Sequence, residues 1–487
     1  MRGIPRNTGA PQLLHSVTGP AHTVTNTRDL PKQALLTKQN QTGQTLVSSY
    51  TYTVNDLGQR KNLATAGTAF AASHTTAWGY DALGQVTSAA TSDQSADRAY
   101  QCDAIGNRKK SASSLTLPTD DNYTANALNQ YSTIAVSSAS PNYDDDGNAT
   151  AYPLPVNPTA NAALTWDAEN RLSEVKNSSG SSIAKYAYDA FGRRIAKTST
   201  INNQLSTISY LYDGWNIIAE YVGSAGLQPA LSKTYLWGTD LSDSLQGAGG
   251  VGGLLAVQIR NPQSSIYYPS YDGNGNVSEY FGSDGTIATH FEYDPFGNTT
   301  VNTDATGLFA YRFSTKPVDP ETGLYYYGYR IYDPVNGRWP SRDPIEEKGG
   351  LNLYGFVGND GVDRGDFLGR AGLGYGADAV RSWGGDYGNG DGTPPVTTPT
   401  PPSPPSDIQD GCPEGKIRDR ECVAKATRKA GKGMMDTAKG SMPNGSDGSS
   451  LARALHFFAN MIDMEKRLKD LNKEIADDIS KCPCVCP

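Results

Sequence analysis

One unit recurs along most of this chain: an aromatic residue, an Asp or Asn, two further residues, then Gly or Asn. It reads GYDALGQ at 79–85, YQCDAIGNR at 100–108, YTANALNQ at 123–130 and YDDDGN at 143–148. It continues as LTWDAENRL (164–172), YAYDAFGRR (186–194), YLYDGWN (210–216), SYDGNGN (270–276) and FEYDPFGN (291–298). The anchors are Asn55, Asp81, Asp103, Asn126, Asp144, Asp167, Asp189, Asp213, Asp272 and Asp294, spaced 18 to 26 residues apart except for one gap of 59. A degenerate copy around YLWGTDL (235–241) would fill that gap.

The unit reads as a strand closing on a tight turn. The carboxylate or amide accepts turn N–H groups, and Gly or Asn supplies the positive φ that such a turn needs. About 22 residues hold two strands and their turns, so each repeat is predicted to be a β-hairpin. A lone hairpin cannot bury itself, so successive units must stack into an extended sheet. Each anchor Asp is expected to cap a turn rather than to catalyse.

Composition agrees. Of 487 residues 28 are Tyr and 52 are Gly, and charged residues make up only 19%. That balance favours short strands and turns over helices. Residues 1–411 carry 28 basic against 39 acidic side chains, whereas residues 412–487 carry 14 against 11. An acidic, Tyr-rich body argues against nucleic-acid binding by the body. No apolar run is long enough to span a membrane. The opening MRGIPRNTGAPQLLHSVTG lacks the apolar stretch of a signal peptide, so export by another route is expected.

After Arg370 the character of the sequence changes. A Gly-rich stretch and the Pro-rich TPPVTTPTPPSPPSD (393–407) read as a linker over 371–411. Residues 412–487 read as a separate helical module, with Leu451, Leu455, Phe458, Met461, Met464, Leu468, Leu471, Ile475 and Ile479 on one face of a helix over about 450–480. Five of six cysteines lie here (Cys412, Cys422, Cys482, Cys484 and Cys486), and a disulfide staple for so small a core is expected. No nuclease, deaminase or protease signature stands in this module, and neither a cofactor nor a metal is expected.

The repeats resemble YD (RHS) repeats. The block FEYDPFGN … YRIYDPVNGRWPSRDPIEEKGGLNLYGFVGNDGVDRGDFLGR, within 291–370, resembles the RHS repeat-associated core. The resemblance covers roughly 45–370, with 45–290 as repeats, 291–370 as core, and 1–44 as a partial repeat or disordered. It implies a mainly β fold, in which repeat hairpins spiral into a hollow shell closed at one end by the core. Relatives include bacterial polymorphic toxins, ABC toxin C subunits and the teneurin YD shell. The variable C-terminal module would be the shell's own cargo. The repeat region is short for a closed shell, so an incomplete shell is expected, either a fragment or one completed by another polypeptide, and served by a secretion system. The location implied is secreted or cell-surface. A YD-repeat adhesion or carbohydrate-binding protein without toxin or cleavage is the alternative.

The resemblance also implies a self-cleaving aspartic protease built from Arg330, Asp343 and Asp366, cutting between Arg370 and Ala371. Two carboxylates held close cannot both ionise readily, so one can serve as acid while the other activates water. The chain reads Asp366-Phe367-Leu368-Gly369-Arg370 where the family ends in Asp-Pro-x-Gly-Leu. Tyr325, Tyr326, Tyr327, Tyr329, Tyr332 and Trp339 are expected to pack, as alternating aromatics on a strand.

Overall fold

The computed structural model describes residues 16–28, 35–134, 140–201, 204–224, 228–242, 244–260, 264–370 and 372–374, with 417–418 and 484–485. The first compact unit is Leu13–Pro394. It is built from two antiparallel meanders in strict chain order. Nine strands run from Ser16–Thr18 to Arg108–Ala112, and fourteen from Asn142–Tyr143 to Thr299–Asn302. The hairpin Thr124–Ala125/Tyr131–Thr133 lies between them in sequence. Among the described residues neither sheet closes on itself.

The repeat chemistry is visible atom by atom. At Asp81 the backbone N–H bonds to the Gln85 carbonyl, and Gly84 N–H bonds back to the Asp81 carbonyl. Asp81 Oδ1 accepts from the N–H groups of Leu83 and Gln85, while Oδ2 accepts from Gln85 Nε2. The same pair of backbone bonds recurs at Asp103, Asn126, Asp144, Asp167, Asp189, Asp272 and Asp294. Gly84 has φ 79° and Asn170 has φ 59°, the left-handed conformation that restricts this position to Gly or Asn.

The aromatic before the anchor serves the next level of order. Tyr80 OH donates to the carbonyl of Arg60, Trp166 Nε1 to Ala149, Tyr188 OH to Leu172, Tyr212 OH to Arg194 and Tyr293 OH to Val277. Each acceptor begins the second strand of the preceding hairpin, next to a register shift in its ladder. One repeat therefore satisfies a carbonyl that the previous repeat leaves at its bulge. Tyr188→Phe keeps the ring and removes that bond, and is expected to lower the denaturation free energy by about 1 kcal/mol.

Asp213 departs from the expected pattern. Its hairpin closes through only Gly214 and Trp215, with Asp213 paired to Asn216. It is not a turn capper, because a two-residue turn leaves no run of N–H groups for its carboxylate. The expected degenerate copy centres on Asp240, whose Oδ2 accepts from Ala248 and Gly250 N–H in an enlarged turn. Asn177 makes the same kind of turn without an aromatic before it.

The last strands of the second sheet meet the first sheet through buried side chains. Glu279, fully buried, accepts from Ser48 Oγ (2.9 Å) and Tyr50 OH (3.3 Å) and faces His290 Nδ1 at 3.0 Å. His290 Nε2 also faces Glu292 at 3.3 Å, and Glu292 faces His74 Nε2 at 3.3 Å. Burial pushes His290 down, but Glu279 and Glu292 outweigh it and raise its pKa to about 9. An unfolded imidazole releases its proton near 6.5. The seam's contribution is thus complete below about pH 6.5 and lost as pH rises through about 9, on the order of 3 kcal/mol. Thermal melting is expected to fall across that interval, and His290→Gln to flatten the fall.

Residues 303–370 form a largely irregular plug packed against both sheets. Tyr325, Tyr327, Tyr332, Trp339, Tyr354 and Phe356 are almost fully buried in it. The tyrosines pack, but not as alternating residues on one strand. Only Tyr325–Tyr326 and Ile331–Tyr332 pair with each other, and much of the remaining backbone is held by turns and side chains. Arg194, itself from the second sheet, makes a two-point ion pair with Asp319 (2.6 and 3.2 Å), which Lys197 joins at 3.2 Å. From the first sheet, Arg60 N–H bonds to the Asp363 carboxylate and Arg60 Nη1 to the Val362 carbonyl.

In the second unit, Met1–Gln12 with Pro395–Pro487, the described residues are the antiparallel pair Ile417–Arg418 and Cys484–Val485. The expected helix over 450–480 and Cys412, Cys422, Cys482 and Cys486 lie outside the described residues, and of Cys484 only the backbone is described. Among the described residues no helix is long and apolar enough to cross a membrane.

Candidate functional site

Arg330 is the hub of a buried cluster in the plug. The chain reaches it just before Ile331–Tyr332, and the guanidinium lies over the Trp339 ring at 4.2 Å. Its Nη2 donates to Asp343 Oδ2 at 2.6 Å and stands 3.7 Å from Asp366 Oδ2. Nη1 donates to the Leu353 carbonyl (3.2 Å), and Nε donates to the Gly369 carbonyl at 2.5 Å. One side chain thus gathers both carboxylates and the peptide just before Arg370.

Asp343 follows a bend at Pro340 and Ser341, and its Oδ1 accepts from Ile345 N–H at 3.0 Å. Asp366 ends the strand Arg364–Asp366, which pairs with Gly372–Gly374 so that Asp366 stands opposite Gly372. Residues 367–370 therefore lead out of that strand into the connection between the pair. Within it Asp366 Oδ1 accepts from the N–H groups of Leu368, Gly369 and Arg370. Arg370 is the last described residue of that connection, and Ala371 lies outside the described residues.

The electrostatics are those of a carboxyl pair kept short of water. Burial raises both Asp343 and Asp366 above the usual carboxylate range, and Arg330 only partly offsets it. Burial lowers Arg330 to about 10. Lys316 is lowered to about 8 by burial, with Asp366 and Asp240 opposing, and its Nζ donates to the Gly249 carbonyl at 2.6 Å. A raised acid beside a second carboxylate and a fixed cation can hold one proton and pass it. Among the described residues no three His, Cys, Asp or Glu side chains are grouped to hold a metal ion.

Sequence reasoning assigned Trp339 to packing alone, yet it also carries the Arg330 face. Tyr329, likewise assigned to packing, lies against the Arg370 guanidinium at 4.4 Å, and Lys316 and Gly349 were not singled out at all. Only the paired glycines of EEKGGLN gave a signal, since glycine marks close approach of backbone to another group.

These features define a class: a β-shell wall of stacked hairpins whose irregular plug holds an Arg–Asp–Asp cluster beside the segment that leads to Arg370. A family model described as Teneurin YD-shell matches residues 44–362. The chain belongs to the Teneurin YD-shell family.

Among known proteins it is similar to the tRNA3(Ser)-specific nuclease WapA of Bacillus spizizenii, 31% identical over 275 residues, which are 54% of this chain and 10% of that one. Toxin subunit YenC1 of Yersinia entomophaga is 30% identical over 222 residues, 41% of this chain and 21% of that protein. The crystal structure of TcdB2-TccC3 shares the fold with a TM-score of 0.55 at 20% identity, over 72% of this chain and 19% of that one. This chain spans about a tenth to a fifth of the length of these relatives.

Proposed function

We propose that the chain is shell wall and plug for a variable C-terminal effector, residues 412–487, and that the plug cuts the chain between Arg370 and Ala371. The observation that carries this reading is the convergence of Arg330, Asp343, Asp366 and the Gly369 carbonyl, next to Arg370, at one buried point. The names of the relatives support the effector: a tRNA nuclease, a toxin subunit and, in Burkholderia cenocepacia, a double-stranded DNA deaminase toxin.

The cut is a hydrolysis. The ionised carboxylate of the pair takes a proton as the oxygen of water bonds to the Arg370 carbonyl carbon. The protonated partner gives its proton to the departing nitrogen of Ala371 as the C–N bond breaks. Water and peptide become a carboxyl and an amine, and no other reactant is needed. Arg330 positions both acids and fixes the neighbouring Gly369 carbonyl.

The neighbour with a solved structure pairs two named components, TcdB2 and TccC3. By that likeness, a second polypeptide completes the open wall of this chain, and the assembly is secreted or displayed at a cell surface. On a denaturing gel the freshly purified chain is expected to run as two pieces and Asp343→Asn as one. Residues 371–487 expressed alone are expected to harm the host cell. A whole, harmless chain that binds cell surfaces or glycans would favour an adhesion protein instead.

A further inference from the structure

Residue 370 is held at two points and faces a gap at a third. Its N–H donates to Asp366 Oδ1 at 3.1 Å. Its guanidinium, although exposed, lies over the Tyr329 ring at 4.4 Å. Tyr329 is itself fixed, with its ring 4.5 Å from that of Trp215 and its N–H bonded to the Leu368 carbonyl at 3.0 Å.

The third point is a gap. Gly349 ends the short helix Glu346–Gly349, on an exposed stretch beside Asp343. A Cβ built there would stand 2.6 Å from Asp343 Oδ2 and 3.0 Å from the Arg370 carbonyl oxygen. The Asp343 carboxyl and the Arg370 carbonyl therefore face one space that only glycine leaves open. Gly349 is outside the left-handed region of backbone space, so its backbone tolerates alanine and the obstacle is that contact alone.

Resting on the self-cleavage proposed above, we infer that Tyr329 and Gly349 form a specificity seat for the residue before the cut. Tyr329 receives its side chain and Gly349 admits its carbonyl to Asp343. Both are positioning residues: neither exchanges a proton. The Tyr329 shelf suits a side chain that lies flat on a ring, as a guanidinium does, and disfavours a carboxylate, which the ring face repels.

The test is a pulse-chase of the newly made full chain, with cut and uncut species read by intact mass. Gly349→Ala is expected to slow conversion on the order of a hundredfold, because a Cβ 2.6 Å from Asp343 Oδ2 pushes that carboxyl aside by roughly 1 Å, a misplacement that has that effect. Lys348→Ala, on the same turn and away from the gap, is expected to convert at the wild-type rate. Tyr329→Leu is expected to slow conversion roughly three- to tenfold by losing the cation–ring contact. In an Arg370→Leu chain, Tyr329→Leu should lose most of that effect while Gly349→Ala keeps its own. A merely structural role for Tyr329 would slow both backgrounds alike, and that result would overturn the shelf. A wild type that cuts together with a Gly349→Ala chain that cuts equally fast would overturn the gap and leave self-cleavage standing. A wild type that stays whole overturns self-cleavage and the seat with it.

Discussion

Asp366→Asn is expected to leave a folded chain that cuts on the order of 10²–10⁴-fold more slowly than wild type. The substitution is close to isosteric. Its Oδ1 still accepts from the N–H groups of Leu368, Gly369 and Arg370, so residues 367–370 keep their shape. What is lost is a proton that can be taken and given back. Asp343→Asn removes the same capacity from the other side of Arg330, and the double variant should be little slower than either alone, since the two acids act as one unit. The measurement is conversion of full-length chain over time. Additive losses would mean that the carboxyls act independently.

Asp319→Ala carries the largest expected effect on stability, a loss of roughly 3–5 kcal/mol in chemical denaturation. Arg194 is 1% exposed and Lys197 4%, and Asp319 answers both. Removing the carboxylate strands the Arg194 guanidinium among Tyr186, Tyr210 and Tyr326, whose rings lie 4.3 to 5.5 Å from it and cannot replace an anion, and leaves Lys197 with Glu321 alone. The same network ties the second sheet to the plug, so the variant should also loosen the plug to proteolysis. Asp121→Ala, which releases the more exposed Lys109 and Lys110, is the control and should change stability by less than about 1 kcal/mol.

The repeat was legible because its chemistry is local. An Asp four residues ahead of its hydrogen-bond partner and a Gly with positive φ at the third position both sit within one turn, so spacing alone announces them. The aromatic before the anchor was legible as a mark but not as a bond, since its acceptor lies in the preceding repeat. Asp213 misled because the motif letters survive while the turn has shortened to two residues. Asn177 escaped because it caps a turn at the opposite edge of the meander and has no aromatic partner.

The plug was least legible. Its Tyr-rich run has the alternation of a strand, but most of its hydrogen bonds go to turns and to side chains from distant repeats. Periodicity has nothing to report there. The meeting of Arg330 with Asp366 is likewise a product of that packing, since 36 residues separate them and the intervening chain is mostly irregular. Resemblance pointed to Arg330, Asp343 and Asp366. Geometry added what the motif does not contain: the bond from Arg330 to the Gly369 carbonyl, the Tyr329 shelf and the opening beside Gly349.

The intact mass of the freshly folded chain tests the container-and-contents account most directly. The account expects two masses, one ending at Arg370 and one beginning at Ala371, together with a single full-length mass for Asp343→Asn. A single full-length mass from the wild-type chain would contradict it.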